Sequence, residues 1–242
     1  MASGDLTPNV ASGDLTPLLS ARSISKSYRL GASRVSALDD VSLDVRPGEF
    51  VAIRGPSGSG KTTLLNLLGL LDVPDAGEVR VGDLDAAGLS ENAKSDLRRD
   101  RFGFVFQTFN LIPVLTAEEN VAYPLALAGA LPEDRRKRTR DLLAAVGCAE
   151  KSAVRPDLLS GGQRQRVAIA RALANDPAVV FADEPTANLD SKTADEILDL
   201  MRRLNEEHAV AFLFATHDPR VVERAKRVIS LTDGRITEDR SR

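Results

Sequence analysis

Residues 55–62, GPSGSGKT, fit the pattern G-x-x-x-x-G-K-[ST], whose chemistry is the cradling of phosphate groups. Glycines 55, 58 and 60 let the backbone turn tightly and point successive N–H groups at an anion, with Pro56, Ser57 and Ser59 completing the loop. Lys61 supplies a mobile positive charge for β- and γ-phosphates, the Thr62 hydroxyl can ligate Mg2+, and Thr63 follows it on the same turn. A second acidic constellation lies downstream in AVVFADEP, an apolar run ending in Asp183 and Glu184. Adjacent side chains at a strand end project in different directions, so Asp183 could hold a metal shell while Glu184 polarises an attacking water. A third stretch, LSGGQ (159–163), places a glycine pair where a helix would begin and would offer bare N–H groups to a further anion.

These residues need elements to hold them. EFVAIRG reads as a strand running into the loop at Gly55, and the dense leucines of TTLLNLLGLL after it demand a buried helix. Further strands are expected at SLDV (42–45), EVRVG (78–82), FGFVF (102–106), AVVFAD (178–183), VAFLFAT (210–216) and RVISLTDG (227–234). A helix is expected over 191–207, with Ile197, Met201 and Leu204 on one face. Apolar strands alternating with helices imply a parallel sheet covered on both sides. From about Leu89 to Ser160 the pattern becomes mostly helical and predicts an inserted helical lobe.

Composition narrows the function classes. Thirty-two Lys plus Arg against 35 Asp plus Glu give a net charge of −3, which argues against a protein built to coat nucleic acid. The basic run RRKRTR (135–140) is flanked by Glu133, Asp134 and Asp141 and reads as a solvated helix face. The single cysteine, Cys148, excludes an internal disulfide framework and suits a reducing cytoplasm. The longest apolar candidate, VAYPLALAGAL (121–131), is too short to span a bilayer and contains Pro124. The N-terminus repeats itself, ASGDLTPNV then ASGDLTPLL, and reads as a flexible tail without a secretory signal.

Together the motifs resemble the nucleotide-binding subunits of ABC transporters, in which LSGGQ is the signature. The resemblance runs from about Ala21 to Gly234. It implies an α/β fold: a P-loop NTPase core with a mostly parallel sheet, an antiparallel β portion at the N-terminal side and an inserted helical subdomain. The chain then divides into a tail (1–20), an ATP-binding core (21–88 and 161–242) and a helical subdomain (89–160). Tyr28, in SKSY, matches the aromatic that stacks on adenine, although by itself a tyrosine at a strand end is commonly packing. Gln107 matches the glutamine that approaches Mg2+ and the nucleophilic water and links the site to a membrane subunit. His217 matches the histidine that contacts the γ-phosphate, and Asp190, a natural helix cap, matches an aspartate at the subunit interface. Ala187 stands where relatives often have glycine, and His208 matches nothing and should be exposed.

Within the family, SYRLGASRVSALDDVSL, FGFVFQTFNLIPVLTAEENVAYPL and DEPTANLDS look most like the ATPases of lipoprotein release and macrolide export. The resemblance implies ATP and Mg2+ as ligands, a homodimer and a multi-span permease partner, with the chain peripheral on the cytoplasmic face of the membrane. In such a dimer Ser160, Gly161, Gly162 and Gln163 of one subunit face the ATP held at Lys61 of the other. No nucleic-acid partner is expected. A soluble ABC ATPase of the DNA-repair or translation type is the alternative; a long coiled coil or a second ATPase unit, which mark those types, are both missing.

Overall fold

The computed structural model describes residues 16–31 and 33–242. The proposed tail lies largely outside the described residues, but Leu19 and Ser20 are paired with Val45 and Asp44, so these two positions of the expected tail belong to the sheet. Two sheets organise the chain. The first is antiparallel and contains β1 (Leu19–Leu30), β2 (Ser33–Val45), β4 (Ala76–Val81) and β5 (Leu84–Asp85), in the order β2-β1-β4-β5. The second contains β3 (Phe50–Arg54), β6 (Phe102–Phe106), β7 (Val179–Asp183), β8 (Ala211–Thr216), β9 (Arg227–Thr232) and β10 (Arg235–Ser241), in the order β10-β9-β3-β8-β7-β6. Every pairing in it is parallel except β10 with β9.

Side-chain alternation explains how one sheet serves two cores. Phe50 and Ala52 of β3, Val180 and Ala182 of β7, and Phe212 and Phe214 of β8 face one apolar cluster, which includes Leu142, Val167, Ile197 and Met201. Their neighbours Val51, Ile53, Val179, Phe181 and Leu213 face the other, shared with Leu19, Ile24 and Val41 of the antiparallel sheet and Leu64, Leu67 and Leu68 of α1 (Lys61–Leu68). The parallel strands are therefore apolar on both faces, as their sequences require.

The remaining helices are α2 (Glu91–Arg101), α3 (Ala117–Leu127), α4 (Pro132–Ala145), α5 (Gly161–Ala172), α6 (Ser191–His208) and α7 (Pro219–Arg224). The expected lobe over 89–160 needs one correction, because β6 falls inside that span and belongs to the core sheet, in parallel register with β7 from Phe102↔Val179 to Phe106↔Asp183. Gly103 permits this close seating: a Cβ there would stand 2.3 Å from the Ala172 carbonyl oxygen. Among the described residues, no helix is long and apolar enough to cross a membrane.

Candidate active site

Parallel strands bring their C-terminal ends to one edge, and crevices at that edge are where α/β sheets hold ligands. Register places Arg54 beside Thr216, Asp183 beside Ala215, and Phe106 beside Asp183. The residues that follow these strand ends are the loop from Gly55, Glu184, His217 and Gln107. A cleft of about 600 Å³ is lined by Ser57, Gly58, Gly60, Lys61, Thr62, Thr63, Gln107, Glu184 and His217.

The loop from Gly55 to Gly60 holds its shape through backbone requirements. Gly60 caps α1 at φ +101, and a Cβ there would lie 2.3 Å from the Ala37 carbonyl oxygen. At Gly55 a Cβ would lie 2.1 Å from the Leu231 carbonyl oxygen. Lys61 is 8% exposed, and its Nζ donates to the Gly55 and Pro56 carbonyls at 2.9 Å each, which leaves one of its three N–H groups. The Ser59 hydroxyl is buried inside the loop without a hydrogen-bond partner in the protein, an orphaned polar atom of the kind that a bound polar group would satisfy.

Thr62 Oγ1 donates to both oxygens of Asp183 at 3.1 Å, joining the loop to the end of β7. Burial raises the Asp183 carboxyl above its usual pKa; the Thr62 hydrogen bond opposes this, the Glu184 charge reinforces it and Lys61 opposes it. The partly buried Asp183 carboxylate and the Thr62 hydroxyl that it accepts from form a hard-oxygen pair suited to a small divalent cation, whose charge would draw off the carboxyl proton.

Glu184 sits at φ +46, a left-handed backbone that a non-glycine residue adopts at a cost, fixed by its N–H to the Ala215 carbonyl at 2.9 Å. Its carboxylate lies 2.7 Å from His217 Nδ1 and accepts from Thr216 Oγ1 at 3.2 Å. Ala187 has negative φ, so the loop after Glu184 does not need glycine there. The backbone of Gln107 is held through its carbonyl by Asn188 Nδ2 at 2.9 Å, and Arg171 of α5 holds the carbonyls of Phe109 and Asn110, both left-handed.

The LSGGQ residues do not line the cleft of their own chain. Ser160 caps α5 in a reciprocal capping box: its Oγ accepts from Gln163 N at 3.2 Å, and Gln163 Oε1 accepts from Ser160 N at 2.9 Å. As first-turn positions, Gly161 and Gly162 have amides with no intrahelical acceptor. The sequence signal S-x-x-Q for this box was available and concerns the helix, not the ligand. Gly162 has a second reason to be glycine, since a Cβ there would be 2.5 Å from Thr193 Cγ2. Asp190 caps α6 by accepting from Thr193 N at 3.0 Å and Thr193 Oγ1 at 2.6 Å. Tyr28 is also outside the cleft lining, 38% exposed on β1, and His208 is exposed at the end of α6.

Beside the cleft, a groove of about 400 Å³ runs along β6, with Leu71, Phe104, Phe106, Tyr123 and Leu127 among its walls. Leu127 and Tyr123 are largely open to solvent. Neither was singled out in the sequence, where both sit within the apolar run that closes α3.

Residues 38–187 match the family model described as ABC transporter. The chain is 46% identical over 226 residues to an uncharacterised ABC transporter ATP-binding protein of Methanocaldococcus jannaschii, MJ0796, covering 92% of this chain and 96% of that one. It is 48% identical over 221 residues to the lipoprotein-releasing system ATP-binding protein LolD of Bordetella pertussis, covering 91% and 96%. Against the macrolide export ATP-binding/permease protein MacB of Syntrophobacter fumaroxidans it is 49% identical over 219 residues, spanning 90% of this chain but 31% of that larger protein. A dimeric structure of the MJ0796 cassette in a post-hydrolysis state with ADP and Pi superposes with a TM-score of 0.85 at 44% identity, covering 92% of this chain and 98% of that one. The phosphate-type loop, the paired acids at the end of β7 and the capped LSGGQ helix thus stand in a fold and a sequence shared along almost the whole length of such cassettes, and the chain belongs to the ABC transporter family.

Proposed function

We propose that the chain is an ATP-hydrolysing subunit that pairs head to tail with a second copy around two ATP and drives a multi-span membrane partner, in the manner of the lipoprotein-release and macrolide-export ATPases. The observation that carries this reading is the convergence of Lys61, Thr62, Gln107, Glu184 and His217 on one cleft at the C-terminal edge of the parallel strands.

The amides of the loop from Gly55 to Thr63 and the Lys61 ammonium would hold the phosphates, aided by the N-terminus of α1. Thr62, Asp183 and Gln107 would hold Mg2+, which supplies charge neutralisation at the phosphates when bound. Glu184, oriented by its fixed backbone and by His217 and Thr216, would take the proton of the attacking water, and His217 would then be within reach of the γ-phosphate. Tyr28 would stack on the adenine. Ser160, Gly161, Gly162 and Gln163 would close the partner's site with first-turn amides and the positive end of α5, and Asp190 would lie at the subunit boundary.

The groove along β6 would receive the membrane partner. Its floor ends at Phe106, and the next residue, Gln107, enters the cleft, so an occupant of the groove adjoins the hydrolytic site. The chain would then be peripheral on the cytoplasmic face. Affinity purification from native membranes should recover a multi-span protein, and Leu127→Glu should lose it while retaining ATP binding. Recovery of ribosomes or DNA in its place would overturn the membrane role.

A further inference from the structure

Asp72 lies outside both the cleft and every motif, yet it ties the exposed Tyr28 to the helix that starts with Lys61. Its Oδ2 accepts from the Tyr28 hydroxyl at 2.8 Å, and its Oδ1 accepts from Lys26 Nζ at 2.7 Å and from Val73 N at 2.7 Å. Lys26 donates again to the Val73 carbonyl at 2.6 Å, and its Nζ lies over the Tyr28 ring, 5.4 Å from the centroid. The backbone carrying Asp72 is anchored on α1, where Leu71 N and Asp72 N both donate to the Asn66 carbonyl, at 2.8 and 3.3 Å.

We propose that Asp72 is the positioning residue of an aromatic platform: it fixes the Tyr28 ring, with Lys26 over one face, so that the other face is presented to a purine base. This rests on the reading of Tyr28 as the base-stacking residue. An exposed tyrosine that had to be immobilised on ligand binding would give up rotamer freedom at that moment. The hydroxyl–carboxylate bond, strengthened by charge, fixes the ring beforehand. Burial alone would raise the Asp72 carboxyl, but hydrogen bonds from Lys26 and Tyr28 outweigh it and hold the group below its usual range, so it stays an acceptor. Burial and the same bond raise the Tyr28 hydroxyl, outweighing the opposing influence of the nearby Thr63 hydroxyl, and it stays a donor.

The test compares ATP with inorganic triphosphate, which has no base, as ligands of the full chain. Asp72→Ala and Tyr28→Phe should each weaken ATP binding roughly three- to tenfold, the fold-change expected from one freed side chain, while triphosphate affinity is retained. The loss should fall on KM for ATP, with kcat the smaller change. Combining the two substitutions should weaken ATP no further than Tyr28→Phe alone, because the hydroxyl–carboxylate bond is already gone in that variant. Asp72→Asn, which keeps an acceptor for the hydroxyl, should restore part of the affinity. If Tyr28→Ala weakens ATP while Asp72→Ala and Tyr28→Phe bind it normally, the positioning role is refuted and the stacking role survives. If Tyr28→Ala has no effect, stacking itself fails and the proposal with it. Equal losses for ATP and triphosphate in Tyr28→Phe, which keeps the ring and the carboxylate, would also overturn it.

Discussion

Glu184→Gln is expected to lower ATP turnover by about 10²- to 10⁴-fold while ATP still binds, the range lost with a positioned general base. Glutamine keeps the size of the side chain and can still accept from Thr216 Oγ1, which in the native chain lies 3.2 Å from Glu184 Oε2. It cannot take a proton from water. The left-handed backbone at this position is held by a main-chain bond to Ala215, which the substitution leaves alone. Steady-state phosphate release combined with equilibrium ATP binding measures both halves of the expectation. Normal turnover in this variant would require a different base.

Substitutions at Ser160 should have the second large effect, on ATP-dependent dimerisation. Ser160→Arg would abolish pairing and turnover, but it also removes the cap of α5, a loss of about 1 kcal/mol in helix stability that muddies the outcome. Ser160→Asp is the sharper variant. Aspartate caps a helix as well as serine does, yet it sets a carboxylate where the partner's γ-phosphate would sit, and juxtaposed like charges cost several kcal/mol. Ser160→Asn caps equally well and is neutral, so dimers should persist with asparagine and vanish with aspartate. Light scattering with a non-hydrolysable ATP analogue reads this directly; dimers forming in Ser160→Asp would refute a shared site.

The hydrolytic half of the site was legible because local order and chemistry coincide there. An apolar strand leads into glycines that only a tight turn explains, and a second apolar strand ends on two acids. What was not legible has identifiable causes. β1 departs from regular alternation, with register shifts against β2 and β4 and a left-handed Ser23, so LSARSISKSYRL carries no clean strand signal. β10 is a polar edge strand whose Asp239 pairs with Arg227, chemistry that reads as a charged tail in one dimension. β6 was recognised as a strand, but the surrounding helical pattern obscured its membership of the core sheet, which only its pairing with β7 reveals. Asp72 carried no local signal, because its partners Tyr28 and Lys26 are more than forty positions away.

The contact between Gly162 and Thr193 makes these two positions a single genetic unit. A methyl group added at 162 meets the Thr193 methyl at 2.5 Å, so Gly162→Ala pries α5 from α6 inside one chain before any second subunit is involved. Serine at 193 would delete only that methyl and keep the hydroxyl bonded to Asp190. Thr193→Ser is therefore the suppressor to look for: a Gly162→Ala defect that it relieves was one of internal fit, and a defect that it leaves untouched belongs to the surface that meets the other subunit.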